Sequence, residues 1–352
     1  MSAVLTQRIA TRPSLPRALL REHGLLLAIV GLELAAALAL CAAYPDKYRH
    51  NLQLEGYFAT LAMGLVFALC GYTIYVMICK RPEHLVRYLK QHLAAYLTRE
   101  RLLFSAPVLA MMPLFAASFT VLKAAVPMVQ PYAWDARLAA ADAWLHGGAQ
   151  PWELLQPVFG HPLLTAILNF NYHLWFFIVL ATVYWLAFNL ERRQLRMQFM
   201  LSFVLSWSLL GNGIAMLFSS VGPCYYGFTV AGADPFAGLM HYLREADKVM
   251  PVMALQVQDT LWQDYTLHSG TNALSISAMP SMHVASSVLL ALLGWRLHRA
   301  AGIALTSFAV LIQVGSVHLG WHYAIDGYAG ALGAWLIWTL CGKLAQRSGH
   351  EL

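Results

Sequence analysis

Long apolar runs separated by short polar turns dominate the 352-residue chain. Crossing roughly 30 Å of hydrocarbon takes about 20 helical residues. Eight runs qualify as spans, near Gly24 to Tyr44, Tyr57 to Cys79, Leu102 to Leu122, Pro162 to Phe188, Met197 to Phe218, Ser281 to Trp295, Ala300 to His318 and Ile325 to Cys341. The sixth is short and has to be extended by its flanks. The pattern predicts an all-α integral membrane protein of about eight transmembrane helices.

The turns test this count, because cytoplasmic loops collect Lys and Arg and the opposite loops do not. Five basic segments read as cytoplasmic: the N-terminus, the stretch Lys80 to Arg101, the turns at Arg192, Arg193 and Arg196 and at Arg296 and Arg299, and the tail with Lys343 and Arg347. Both termini are therefore expected inside. The loop around Asp46, the segment Val126 to His161 and the segment Ser219 to Pro280 fall on the other side, and the two long ones are net acidic. Within them Trp134, Leu138, Ala141 and Leu145, and then Phe236, Met240 and Leu243, recur at helical spacing, which predicts short interfacial helices.

Composition agrees with a polytopic membrane protein: 59% of residues are hydrophobic and 11% charged, with a mean hydropathy of +0.56. The net charge of +6 lies in short clusters between apolar runs, as orientation signals do, so nucleic acid is excluded as a partner. Four of the five cysteines sit in or beside apolar runs and imply no disulfide framework. The first apolar run is too long for a signal peptide and is expected to be retained as a span.

Candidate chemistry lies in two stretches, Ala278 to His283 and His318 to Asp326, which hold imidazoles and a carboxylate at the edges of apolar runs. Ionisable groups are costly there and mark function. Pro280 followed by Ser281 reads as a helix start, with Ser281 as cap, and a helix N-terminus beside His283 is a ready anion site. His322 and Asp326 are four apart, so a helix starting near Tyr323 lets the carboxylate reach one imidazole nitrogen and makes the other a better nucleophile. Loop alternation puts all three residues at the outer face.

Pro280-Ser281-Met282-His283 and Gly320-Trp321-His322-Tyr323-Ala324-Ile325-Asp326-Gly327 resemble the second and third motifs of the type-2 phosphatidic acid phosphatase superfamily. The branch most similar includes fungal inositol phosphorylceramide synthase. The resemblance implies a six-helix catalytic core without metal or other cofactor. The layout is then a cytoplasmic segment 1–22, two additional helices in 23–101, the core in 102–345 and a tail in 346–352. It further implies that His322 forms a phosphohistidine, Asp326 orients it, and His283 protonates the leaving alkoxide and later activates water or an acceptor hydroxyl.

Three departures stand against the family pattern. No Lys-x6-Arg-Pro motif occurs, Ser316 stands where an Arg is usual six residues before the nucleophile, and Met282 replaces a Gly. The phosphate therefore needs another holder. Candidates are Gly222, Tyr225 and Tyr226 in the Pro-containing element after span five, an element that reads equally as an interfacial turn with an aromatic anchor. Ser281 and His318 are further candidates, and Tyr172 and His173 on span four are candidates to line a lipid pocket. Glu33 is unassigned.

The expected protein is a lipid phosphatase or phosphotransferase of a bacterial-type inner membrane, taking a phospholipid or other lipid phosphate at the outer leaflet. Two rivals stand beside it: a metal-dependent hydrolase using His318, His322 and Asp326, and a proton-coupled transporter.

Overall fold

The predicted crossings are all helices in the computed structural model, which describes residues 15–48, 52–267 and 276–347. The expectations for Arg8, Arg12 and most of segment 1–22, for residues 268–275 of the second long loop, and for the tail beyond 347 lie outside the described residues. In chain order the principal helices are α1 (Leu15–Ala43), α2 (Leu54–Tyr75, running into a π-helical turn Val76–Lys80), α3 (Leu85–Tyr96), α4 (Arg99–Ala124), α5 (Asp135–Leu145), α6 (Pro151–Phe159) and α7 (Pro162–Phe188). There follow α8 (Arg193–Ser206, continued by the π-helical stretch Trp207–Ile214), α9 (Ala237–Asp247), α10 (Met253–Leu267), α11 (Met282–Leu297), α12 (Arg299–His318) and α13 (Ala324–Arg347). Among the described residues there is no strand.

Seven of these, α1, α2, α4, α7, α8, α12 and α13, are long and apolar enough to cross a membrane, and α11 is the shorter eighth. The bundle is apolar outside and carries small polar groups inside. Phe67, Phe170, Phe177, Val310 and Leu332 are exposed on its flanks, whereas Ser105, Ser118, Ser202, Ser206, Ser286, Ser287 and Ser316 are buried between helices. That distribution suits a lipid solvent, where small residues let helices approach and hydroxyls bond across or along them.

The two N-terminal helices differ in how they join the rest. α2 has no buried residue. α1 buries Leu26, Val30 and Ala37, together with two carboxylates that find partners on α8. Glu22 bonds Arg196, which is fully buried, at 2.7 Å and Arg193 at 3.1 Å. Glu33 accepts from Ser208 Oγ at 2.6 Å and from Asn212 Nδ2 at 3.0 Å, both on the π-helical stretch. The sequence left Glu33 without a role; the fold makes it a tie between α1 and α8.

The loops collect at two ends. At one, Arg193 meets Glu22 and Glu100, Arg101 meets Glu191, and Arg192 reaches the Arg296 carbonyl. At the other, α5, α6, α9 and α10 lie across the helix ends. Ala133 N–H reaches the Ser219 carbonyl, Trp152 Nε1 the Pro235 carbonyl and Tyr132 OH the Ile276 carbonyl. Both predicted interfacial helices, α5 and α9, are present there, and α6 and α10 join them. The two histidine-bearing stretches belong to this second end.

Candidate active site

His322 is held in a gap between two helices. α12 ends at His318, and Gly320, at φ +75°, takes the left-handed turn that a glycine allows without strain. The N–H groups of Trp321 and His322 both donate to the Ser316 carbonyl, at 3.0 and 3.1 Å, so the connection is tight. α13 then begins at Ala324 and presents Asp326 in its first turn, its Oδ2 accepting from Tyr323 N–H at 3.0 Å.

The imidazole of His322 turns Nδ1 toward two acceptors, the Ala278 carbonyl at 2.9 Å and Asp326 Oδ2 at 3.5 Å. A ring nitrogen facing only acceptors carries the proton. Nε2 is thereby left with its lone pair, and Asp326 beside the ring is wholly buried. The close i, i+4 pairing inferred from spacing is present, although His322 itself precedes the helix.

His283 stands opposite, in the first turn of α11. Ser281 caps that helix, its Oγ accepting from Val284 N–H at 3.4 Å, while its own N–H donates to the Asp326 carbonyl at 3.0 Å. A Cβ on Gly330 would stand 2.5 Å from the Ser281 carbonyl, so α13 packs directly on the start of α11. The two imidazoles end with centroids 6.2 Å apart, close enough for one phosphoryl group to touch both. His283 is sandwiched by Tyr172 at 4.3 Å and Trp175 at 4.2 Å, and Trp175 is itself fixed by its Nε1–H to Ser286 Oγ at 2.9 Å. Beside it the helix N-terminus offers its partial positive charge.

The Pro-containing loop after α8 packs against both stretches. Ala278 N–H donates to the Ser220 carbonyl at 3.0 Å and Cys224 N–H to the Gly320 carbonyl at 2.9 Å. Gly222 has φ +92°, and a Cβ there would lie 2.6 Å from the Trp321 carbonyl. Its close approach is therefore to the backbone beside His322. The N–H groups of Val221 and Gly222 are taken by Asp135, at 2.9 to 3.1 Å, which also accepts from Tyr323 OH at 2.8 Å. About two turns further along α5, Asp142 accepts from Ala324 N–H at 2.6 Å and Ile325 N–H at 2.9 Å. Burial pushes both carboxyls above the usual range, and these N–H donors pull them back.

Other predicted residues take different places. Tyr172 lies against His283 and also parallel to Trp321, at 6.3 Å. His173, the next residue, bonds the Asn169 carbonyl through Nδ1 at 2.8 Å. Tyr225 donates its hydroxyl to the Gln258 carbonyl at 2.8 Å and stacks on Trp262, and Tyr226 packs edge-on against Phe236, so both rings face the covering helices. His318 turns Nε2 to Thr165 Oγ1 at 2.9 Å and packs on Phe159 and Tyr242. His318 thus faces α7 while His322 faces Ala278, and among the described residues no group of three His, Cys, Asp or Glu side chains is arranged to hold a metal.

The sequence reading did not single out Asp135, Asp142, Trp175 or Trp321. Two signals were available. Asp135, Leu138 and Asp142 fall at i, i+3 and i+7, which puts the carboxylates on the apolar face of α5, and Trp175 follows Tyr172 by three on α7.

Among family models, that of the PAP2 superfamily matches residues 136–340, more than half of the chain. The matched stretch runs from α5 to α13 and includes His283, His322 and Asp326. No curated protein and no solved structure matches the chain.

Proposed function

Because the chain belongs to the PAP2 superfamily, whose membership supports a phosphatase-type or phosphotransferase-type enzyme, we propose that it cleaves a lipid phosphoester through a phosphohistidine without a metal. The carrying observation is the orientation of His322, with Nδ1 between the Ala278 carbonyl and Asp326. In the first half-reaction Nε2 of His322 attacks phosphorus, the ester P–O bond breaks, and protonated His283 gives its proton to the departing alkoxide. Asp326 balances the charge on the substituted imidazole. In the second, neutral His283 takes a proton from water or an acceptor hydroxyl, whose oxygen displaces His322 from phosphorus. Both imidazoles return to their starting states.

The substrate we favour is a phosphodiester-linked lipid headgroup, passed to water or to a lipid or sugar hydroxyl. Two features support this. The basic residues that the family's motifs use for a phosphate monoester are replaced at Ser316 and absent before Pro, and the motifs resemble the fungal branch that transfers such headgroups. A diester carries less charge than a terminal monoester and needs fewer cations. By the distribution of Lys and Arg between the loops, the site faces the outer side of a bacterial-type inner membrane, with both termini cytoplasmic.

The test is to incubate purified protein with phosphatidic acid, phosphatidylglycerol, phosphatidylinositol and ceramide-linked donors, with and without acceptor lipids, and identify products by mass. Turnover of a diester donor that disappears in His322→Ala and Asp326→Asn is expected. Equal turnover of phosphatidic acid and the diesters would remove the headgroup preference, and activity surviving in His322→Ala would remove the nucleophile.

A further inference from the structure

A cation sits beside the site that no family motif supplies. Lys123 is the penultimate residue of α4, at the same end of the bundle as His283, and lies before the stretch matched by the family model. It is half-buried, and among the described residues no carboxylate lies within 4 Å of its ammonium. A lysine kept unpaired at the end of a membrane helix ordinarily extends toward the headgroups. Here the Nζ lies 5.9 Å from the ring centroid of Phe119, one turn back into the bundle. That follows from helix geometry, since side chains lean toward the N-terminus of their helix, which for α4 is away from the site end.

Phe119 carries the position to the site. Its ring meets Trp207 edge-on at 4.9 Å, and Trp207 stacks with Trp175, the residue packed on His283. A Cβ on Gly211 would stand 2.9 Å from Phe119 and 3.4 Å from Met282, the residue before His283. Gly211 belongs to the π-helical stretch of α8, and its missing side chain leaves the space that Phe119 of α4 and Met282 of α11 both border.

We propose that Lys123 is the cation that holds the substrate's phosphate, standing in for the missing basic residues together with the N-terminus of α11. This rests on the phosphoryl-transfer reading above and narrows it: one ammonium matches one negative charge, which is the charge of a phosphodiester. Keeping an unpaired charge half-buried costs stability, and ligand binding is what such a cost serves.

The experiment compares wild type with Lys123→Met, Lys123→Gln and Lys123→Arg in mixed micelles, using the diester donor that wild type turns over best. The neutral variants are expected to lose about 10- to 100-fold in kcat/KM, mostly through KM, and Lys123→Arg to keep most of it, as a charge-assisted contact requires. Their thermal midpoints should equal or exceed that of wild type, because an uncompensated charge has been removed. Inhibition by inorganic phosphate should weaken in parallel. Wild-type kcat/KM in either neutral variant overturns the proposal, as does an equal loss in all three variants with lowered midpoints, which marks a packing role. If wild type turns over no phosphoester, the functional reading fails by itself. Thermal stabilisation by inorganic phosphate then decides for Lys123: its loss in the neutral variants supports the contact and its persistence refutes it.

Discussion

Asp142 caps the helix that begins at Ala324, accepting that residue's N–H at 2.6 Å and the next at 2.9 Å from a separate helix far earlier in the chain. The first N–H groups of any helix lack intrahelical acceptors, and here a carboxylate supplied from α5 satisfies two of them. Since Asp326 rides on that first turn, the placement of His322's partner depends on Asp142. Replacing it with Ala is expected to cost about 1.5–3 kcal/mol, the range for hydrogen bonds to a charged group. The check is the thermal midpoint in detergent together with kcat. Asp142→Asn, which keeps one acceptor, should fall between the variant and wild type in both.

Gly222→Ala joins two penalties at one atom. The residue has φ +92°, and the added Cβ would stand 2.6 Å from the Trp321 carbonyl. The strain alone is of the order of 1–3 kcal/mol. Relief by moving Trp321 would also move His322, so kcat should drop more than the midpoint suggests. Unchanged activity with a lowered midpoint would mean that the two loops shift independently.

Leaving-group chemistry separates the two imidazoles. His283→Ala is expected to lower kcat on a lipid donor by about 10²- to 10⁴-fold, the usual contribution of a positioned acid. From a p-nitrophenyl phosphodiester the nitrophenolate leaves without protonation as the P–O bond breaks, so a burst of nitrophenolate should be largely restored in His283→Ala and absent in His322→Ala. Equal defects on both substrates would argue against the division of roles.

Glu33→Leu tests the tie between α1 and α8. It removes the acceptor of Ser208 and Asn212, both of which then lose a buried partner. A loss of about 1–3 kcal/mol is expected, along with reduced kcat, because the π-helical stretch it holds also packs on Phe119 and Met282. Thermal unfolding and turnover in the same detergent measure both.

The crossings were legible because a membrane helix declares itself by composition over a long window, and Pro162–Phe188 coincides with the predicted fourth span to the residue. The His322–Asp326 pair was legible for a related reason: it depends on spacing within one stretch. What was hidden depends on partners distant in sequence. Asp135 and Asp142 read as charges of a surface helix until the loops they bond are brought beside them. His318, four residues from His322, shared its spacing but not its surroundings, since the turn at Gly320 directs the two rings to different neighbours. The π-helical stretch Trp207–Ile214 has no local signature, and its partners, Glu33 of α1 and Phe119 of α4, are distant in sequence.

The ion pair between Glu22 and Arg196 bears on how the chain is assembled. α1 is synthesised before α8, yet the group that neutralises its buried carboxylate arrives only with α8. Until then Glu22 has to stay hydrated or protonated at the membrane edge. Insertion of α1 and its final docking are therefore separate events, the second waiting on α8. A version of the protein lacking α1 would take from Arg196 the carboxylate it bonds, so a helix that looks like an appendage in sequence is tied into the finished bundle.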